Sequence, residues 1–472
     1  MFLASQAIVT LKTIAAALAA TLVLAACTVG PGYRRPDMPS PPAWNEQAEA
    51  VPVQWPSAAW WRGFGSPALD ELMTTAQGAN DDIAAAIARV READANVRVV
   101  GSALLPSLDA GAGAARERQV LPTGGALTFN SFTTGLTAAY ELDFWGKNRA
   151  LRTAALETAA ANRNDRTTVE LSVMASVAST YFTVLELRDR LAVARDNLAS
   201  ATEILQGLEL EQTVGTVNAL DVAQQATVVA TLNASIPPLE QQLRENTDAL
   251  AILVGKAPQG FEIATGSLAD MSQPGVSPGL PSELLVRRPD VAEAESQLKS
   301  AHADIVAARA AFFPSIDLTA AGGFESTDLS RLLEPANRTF TLSAGITQPI
   351  FRGGALLGEY RFSEARYDEL LANYHKAVIS ALGNVEDALA AVRQTAEQLQ
   401  RQQAAVDAAQ RAYDFAQTQF HAGIINILTV LITETALFNA RDTLSQVKLA
   451  HLTALVGLYQ ALGGGWEPGK ET

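Results

Sequence analysis

The sequence predicts a mixed α and β membrane protein. Each chain supplies four transmembrane strands and very long coiled-coil helices in a duplicated unit, and three chains close one barrel. Three observations carry this expectation. Stretches such as SFTTGLTAAYELDF (131–144) alternate residue by residue between apolar and small polar positions. Landmarks recur about 208 residues apart, and apolar seams persist over far more turns than a globular domain needs.

After an uncharged stretch, Lys12 precedes the apolar run TIAAALAATLVL, which closes with the small residues of LAAC at 24–27. That order is a secretory signal over 1–26, too short to span a bilayer, which takes ~20 apolar residues. LAAC resembles the bacterial lipobox, which implies a diacylglyceryl group on Cys27 and, with Thr28 next, sorting to the outer membrane. The arm at 27–65 carries seven prolines between 31 and 56, which favour extended chain over helix. Trp44, Trp55, Trp60 and Trp61 are expected to pin it to a helical surface.

The repeat is read from four anchors. Pro106 and Pro314, Gly215 and Gly423, and Gly255 and Gly463 each stand 208 apart, and Gly146 and Gly353 stand 207 apart. The copies run over 66–255 and 289–463, with a Pro- and Gly-rich linker at 256–288 and a tail at 464–472. In each, a helix of about 25 residues ends at the proline, where the missing N–H stops it. Two strands follow, then a helix of about 65 residues and one of about 37. At 1.5 Å per residue the long helix spans ~100 Å, and the two shorter ones together match it. Val184, Leu187, Leu191, Ala194, Leu198, Ala201, Leu205 and Leu208 form a 3/4-spaced seam on the first long helix. Val385, Leu389, Val392, Ala396, Leu399, Val406, Tyr413 and Phe420 repeat it on the second. Pro237 and Pro238 predict a kink or break with an equatorial bulge.

Four strands leave a problem of closure. Unpaired N–H and C=O groups in lipid cost several kcal/mol each, and single-chain barrels start at eight strands. Three chains give twelve strands, a perimeter of roughly 75 Å and an open pore roughly 24 Å across. Thr, Ser, Gly, Asp and Glu then face the lumen, Glu141, Asp143, Asp317 and Glu325 among them. Trp145, at the strand-to-helix junction, is expected in the periplasmic aromatic girdle.

Net charge is −15, which argues against a nucleic-acid partner. His302, His375, His421 and His451 lack metal-ligand spacing, and no phosphate loop or dinucleotide fingerprint is present. The expectation is therefore no enzyme and no cofactor beyond the lipid on Cys27. Arg287 and Arg288, before Pro289, read as anchors of the linker.

CTVGPGYRRP (27–36), YELDFWGK (140–147), LPSELLVRRPDVAEAE (280–295), QPIFRGG (348–354) and ALGGGW (461–466) resemble, in order, the motifs of the outer membrane efflux protein family. They are closest to the lipoprotein branch of its TolC-type ducts. The resemblance implies a homotrimer with a twelve-strand barrel in the outer membrane and a twelve-helix tunnel extending into the periplasm. It also implies a periplasmic adaptor and an inner-membrane pump as partners, and passive conduction of drugs or other small molecules. A duct for type I protein secretion and a trimeric adhesive coiled coil are the competing readings. Related ducts place acidic rings past the glycines of the periplasmic tip. Here Asp221 fits, whereas Thr429 stands in the second copy. With Gly215 and Gly423 at the turns, Ile425 and Ile432 are expected to form an apolar constriction and Asp221 to add cation preference.

Overall fold

The computed structural model describes residues 29–38, 41–45, 55–120, 122, 124–264, 266–275 and 281–467. Cys27 and the signal stretch lie outside the described residues. Helices α1 (Pro67–Ala79) and α2 (Asp81–Gly101) lead into strands β1 (Ser107–Val120) and β2 (Ala126–Glu141). Helices α3 (Lys147–Thr213) and α4 (Ala219–Leu253) complete the first copy. The second copy has α5 (Pro289–Ala310), β3 (Ser315–Ser326), β4 (Arg338–Thr347), α6 (Ala355–His421) and α7 (Ile427–Ala461). The long helices are 67 residues in both copies and the returning helices 35 in both.

Two compact units emerge, with the division falling inside α2, α3, α5 and α6. One comprises Met1–Asp37, Arg89–Arg163 and Glu293–His375. It holds an antiparallel sheet in the order β1-β2-β3-β4. Directly opposed residues share a face. The register sets Leu108 against Ala138, Ala110 against Leu136, Tyr140 against Leu318 and Ala320 against Leu342. The other face joins Asp109 to Thr137, Glu141 to Asp317 and Thr319 to Ser343. The alternation read from sequence is thus one continuous apolar face and one continuous polar face.

Glycine lets two strands of the sheet approach closely. On the polar face Gly323 opposes Gly135, and a Cβ on Gly323 would stand 2.2 Å from the Thr134 carbonyl oxygen. Only glycine allows so close an approach, and glycine kinks are where sheets bend.

The extended arm lies on α5 in the same unit. A Cβ on Gly30 would meet Val306 at 3.2 Å, and the Tyr33 ring meets His302 edge-on at 5.8 Å. Arg35 bridges Glu295 at 3.1 Å and Tyr374 at 3.1 Å. Five extended residues cover about 17 Å, as do eleven helical ones, so the arm runs antiparallel to α5.

The other unit comprises Met38–Ala88, Asn164–Ala292 and Lys376–Thr472. The first seam is buried there: Val184, Leu187, Leu191, Ala194, Ala201 and Leu208 are inaccessible, Leu198 and Leu205 half-buried. The second is only partly covered: Val385 is fully buried, Ala396 is exposed and the other six are half-buried. Helix α4 runs unbroken through Pro237 and Pro238, so the expected break is absent and the residue pair costs donors without ending the helix. The tryptophans pin the arm region as expected. Trp60 stacks on Tyr459 at 5.1 Å, Trp61 donates to Asp70 at 2.9 Å, and Arg287 covers Trp55 at 4.6 Å.

Sequence reading missed α1, whose start is set by Ser66 accepting from Leu69 N at 3.2 Å. It also missed how both copies close. Asn80 Nδ2 donates to the Leu253 carbonyl at 2.8 Å, and Arg288 Nη1 to the Ala461 carbonyl at 3.1 Å. Both donor and acceptor are displaced by 208 residues, so one junction is built twice with different side chains. Arg288 is held in turn by Asp290 at 2.6 Å, which makes it the linker anchor that its position suggested.

Candidate functional site: a two-faced sheet and a glycine-turned helix end

In the sheet unit the apolar face is bare. Phe340, Leu342 and Ile346 on β4 and Leu108 on β1 are each more than 65% exposed. Soluble proteins do not leave such a face to water. From Phe132 to Tyr140 the face runs eight residue steps, about 27 Å along the strand and about 21 Å at a ~40° tilt. That approximates the ~25 Å apolar band of an outer-membrane barrel. Arg338 ends it at one rim, its guanidinium 6.0 Å from the Phe324 ring. At the other end Trp145 stacks on Phe313 at 4.8 Å and donates Nε1–H to the Pro314 carbonyl at 2.8 Å. The indole thereby ties β2 to the start of β3.

Of the four carboxylates assigned to the polar face, three lie on it. Glu141 and Asp317 are direct neighbours, Glu141 pairing with Lys147 at 2.7 Å and Asp317 accepting from Ser315 at 3.2 Å. Glu325 opposes Thr133. Asp143 does not belong with them, which corrects the sequence reading. The strand ends at Glu141, and the Asp143 side chain is 7% exposed. Its oxygens accept from the backbone N–H groups of Asn148 and Arg149, each at 2.9 Å, and from Arg149 Nε at 3.1 Å. Asp143 is thus the N-terminal cap of α3, a carboxylate set against four orphan donors and the positive end of the helix.

In the helical unit the two turns are near-copies. Gly215 has φ +81° and Gly423 φ +69°. Thr216 N–H reaches back to the Glu211 carbonyl at 3.0 Å, and Ile424 N–H to that of Gln419 at 2.9 Å. These are left-handed glycine caps of the Schellman kind. Each next helix starts on an asparagine. Asn218 accepts from Leu220 N and Asp221 N, and Asp221 Oδ2 accepts from Asn218 N at 3.1 Å, closing a capping box. In the second copy Thr429 occupies that position, its N–H and hydroxyl both donating to Asn426 Oδ1. Asp221 therefore commits one oxygen to its cap.

Ile425 is half-buried and packs, with Val217, against the cluster of Leu208, Ala416, Ile427, Val430 and Leu431. The turn exposes other apolar residues instead: Ile432 at 61%, and Val214, Leu220, Ile424 and Leu428. His421 is exposed.

A model of the outer membrane efflux protein family matches this chain twice, at residues 72–256 and 280–464, again 208 apart. The chain belongs to the outer membrane efflux protein family. This efflux protein is 39% identical over 465 residues to the pyoverdine export outer membrane protein OpmQ of Pseudomonas aeruginosa, covering 96% of this chain and 97% of that one. It is 35% identical over 472 residues to the toluene efflux pump outer membrane protein TtgF of Pseudomonas putida, at 97% and 98% coverage. The open-state MtrE outer membrane channel of Neisseria gonorrhoeae superposes with a TM-score of 0.86 at 27% identity, over 94% of this chain and all of that one. The CmeC channel of Campylobacter jejuni shares the fold, with a TM-score of 0.89 at 24% identity over 94% and 96%. Membership makes this chain an outer-membrane efflux channel, a transport protein by family.

Proposed function

We propose that three copies of this efflux protein close a twelve-strand barrel in the outer membrane and a twelve-helix duct below it. That duct takes small molecules from a periplasmic adaptor and an inner-membrane pump. The single observation that carries the closure is the four-stranded sheet with one bare apolar face and two free edges, β1 and β4. Open edges are not tolerated in lipid, so each edge needs a strand from another chain. The half-covered seam on α6 agrees, since an apolar stripe at 3/4 spacing that its own chain covers only in part has room for a neighbouring helix.

The polar face, small and hydroxylated, suits a wet lumen and selects cargo weakly. Pyoverdine and toluene are named for two relatives, and apolar or chelating small molecules are the class proposed here. The arm runs along α5 with Gly30 at its strand-ward end, which supports a lipid on Cys27 close to the barrel rim. In a Cys27→Ser background, cysteines placed on β1 and β4 should crosslink between chains into trimers on a denaturing gel, and a dimer limit overturns the closure. Fatty-acid label on the wild type but not on Cys27→Ser checks the anchor.

A further inference from the structure

Glu434, on α7, is fully buried in the helical unit, and so is Gln225 on α4. Gln225 Nε2 donates to the Ala201 carbonyl of α3 at 2.7 Å, which fixes the amide and ties α3 to α4. Both carboxyl oxygens of Glu434 and the Oε1 of Gln225 have no hydrogen-bond partner. Three buried acceptors without a donor are costly, and an ionised carboxylate among them would be costlier still. A protonated carboxyl supplies the missing donor. The repeat underlines how particular this is. The positions 208 residues earlier and later are Ala226 and Thr433, so the carboxyl is built into one copy only.

We propose that Glu434 is a proton-operated latch at the turn end of the helical unit: protonated, it lets the first turns of α4 and α7 stay packed; ionised, it drives them apart. The charges around it offer no substitute. Tyr413 of α6 is its titratable neighbour, and the other charges acting on that phenol are Asp414 of α6, Glu203 of α3 and Arg441 of α7. The Tyr413 phenol, pushed up to about 12 by burial and then by Glu434, accepts from Gln417 at 2.7 Å. From α4 comes the neutral Gln225, with Asp221 one turn before it in the cap. Arg441, along α7, donates to Gln410. Burial pushes the Glu434 carboxyl up to about 7, and the nearby Gln225 amide, whose Nε2 is turned to the Ala201 carbonyl, is too weak a neighbour to offset it.

The sign follows from linkage. Released to water, Glu434 ionises near 4.5, its ordinary value, whereas packed it holds its proton to about 7. The packed state therefore binds more protons across that window, and its stability falls as pH rises through it. The latch loosens toward neutral and alkaline pH.

The test is hydrogen exchange on the full-length protein in detergent, corrected for intrinsic rates, over the first three turns of α4 and α7. In the wild type, opening there should rise on the order of tenfold between about pH 5.5 and pH 8. Glu434→Gln, which cannot ionise, should be flat, and Glu434→Met serves as a second non-ionising variant. A flat wild type, or a pH response kept by both variants, overturns the latch. Its consequence for transport rests on the duct reading above and is read separately, as resting conductance in a planar bilayer. Exchange that responds while conductance does not leaves the latch standing and counts against the turn end as the duct's constriction.

Discussion

The Cβ that Gly463 lacks would stand 2.0 Å from the carbonyl oxygen of Arg287, and the one that Gly255 lacks 2.1 Å from that of Ala79. The two pairs are offset from each other by 208 residues, and both glycines have positive φ, +82° and +69°. Here a returning helix ends against the residue two positions before its own copy's first long helix, α2 or α5, with no space for a methyl group. The chain stores its repeat most faithfully where backbone meets backbone.

Substitution at these junctions should cost more than at the turns. Gly463→Ala combines the left-handed backbone penalty, roughly 1–2 kcal/mol, with overpacking of roughly 1–3 kcal/mol. Gly215→Ala meets nothing within 4 Å of the new carbon and should cost about 1 kcal/mol. Thermal midpoints of the purified variants measure the difference. Equal losses would show that close approach at Arg287 contributes nothing.

How much of this was legible in sequence depends on what a pattern records. The 208-residue offset, the glycine turns and the strand faces are local or periodic properties, and the register joins Leu108, Ala138, Ala320 and Leu342 in one row as alternation required. Asp143 was misread because alternation continues through Leu142 and Phe144 after the ladder has stopped. Two helical N–H groups claim the carboxylate, and period two cannot see a cap. The packing of Ile425 was not legible, because an apolar residue beside a turn glycine can face either the chain's own cluster or its outside. Glu434 was passed over for the opposite reason, since a periodicity count scores a buried carboxyl as a polar position. The half-covered seam on α6 shows a further limit: spacing reveals which stripe is apolar, not how much of it the chain itself covers.

Asp143 should behave as a cap with an ion pair, not as a pore charge. Asp143→Ala removes two backbone acceptors and the partner of Arg149, and should cost on the order of 2–3 kcal/mol. Asp143→Asn keeps part of the cap and should cost roughly half as much. Single-channel ion selectivity should be unchanged in both. A selectivity shift without loss of thermal stability would return Asp143 to the lumen.

The two faces of the sheet make a paired prediction on β4. Leu342→Arg places a guanidinium on the apolar face, at about 2–4 kcal/mol per chain near the bilayer midplane. Ser343→Arg, one residue on, places the same group on the polar face opposite Thr319, where the hydroxyls already meet at 2.5 Å. Membrane-assembled protein should fall sharply for the first and little for the second. Comparable assembly would mean that the apolar face does not meet lipid.

At the turn the charge and the cap of Asp221 can be separated, because the second copy supplies a neutral version of the same cap. Thr429 holds Asn426 through its N–H and hydroxyl, where Asp221 holds Asn218 through its carboxylate. Asp221→Thr should therefore keep the start of α4 while removing one charge per chain, and Asp221→Ala should remove both, at a further cost of about 1 kcal/mol to the helix. If the carboxylates face the constriction, both variants should lose cation preference in planar bilayers to the same extent, while only Asp221→Ala increases hydrogen exchange over the first turn of α4. Ile432→Ser, on an exposed position of α7, should raise resting conductance without changing selectivity, whereas Ile425→Ser should act through stability, since that side chain is committed to the chain's own cluster. Unchanged selectivity in Asp221→Thr would leave the residue as a cap alone and move the charge filter of the duct away from its turns.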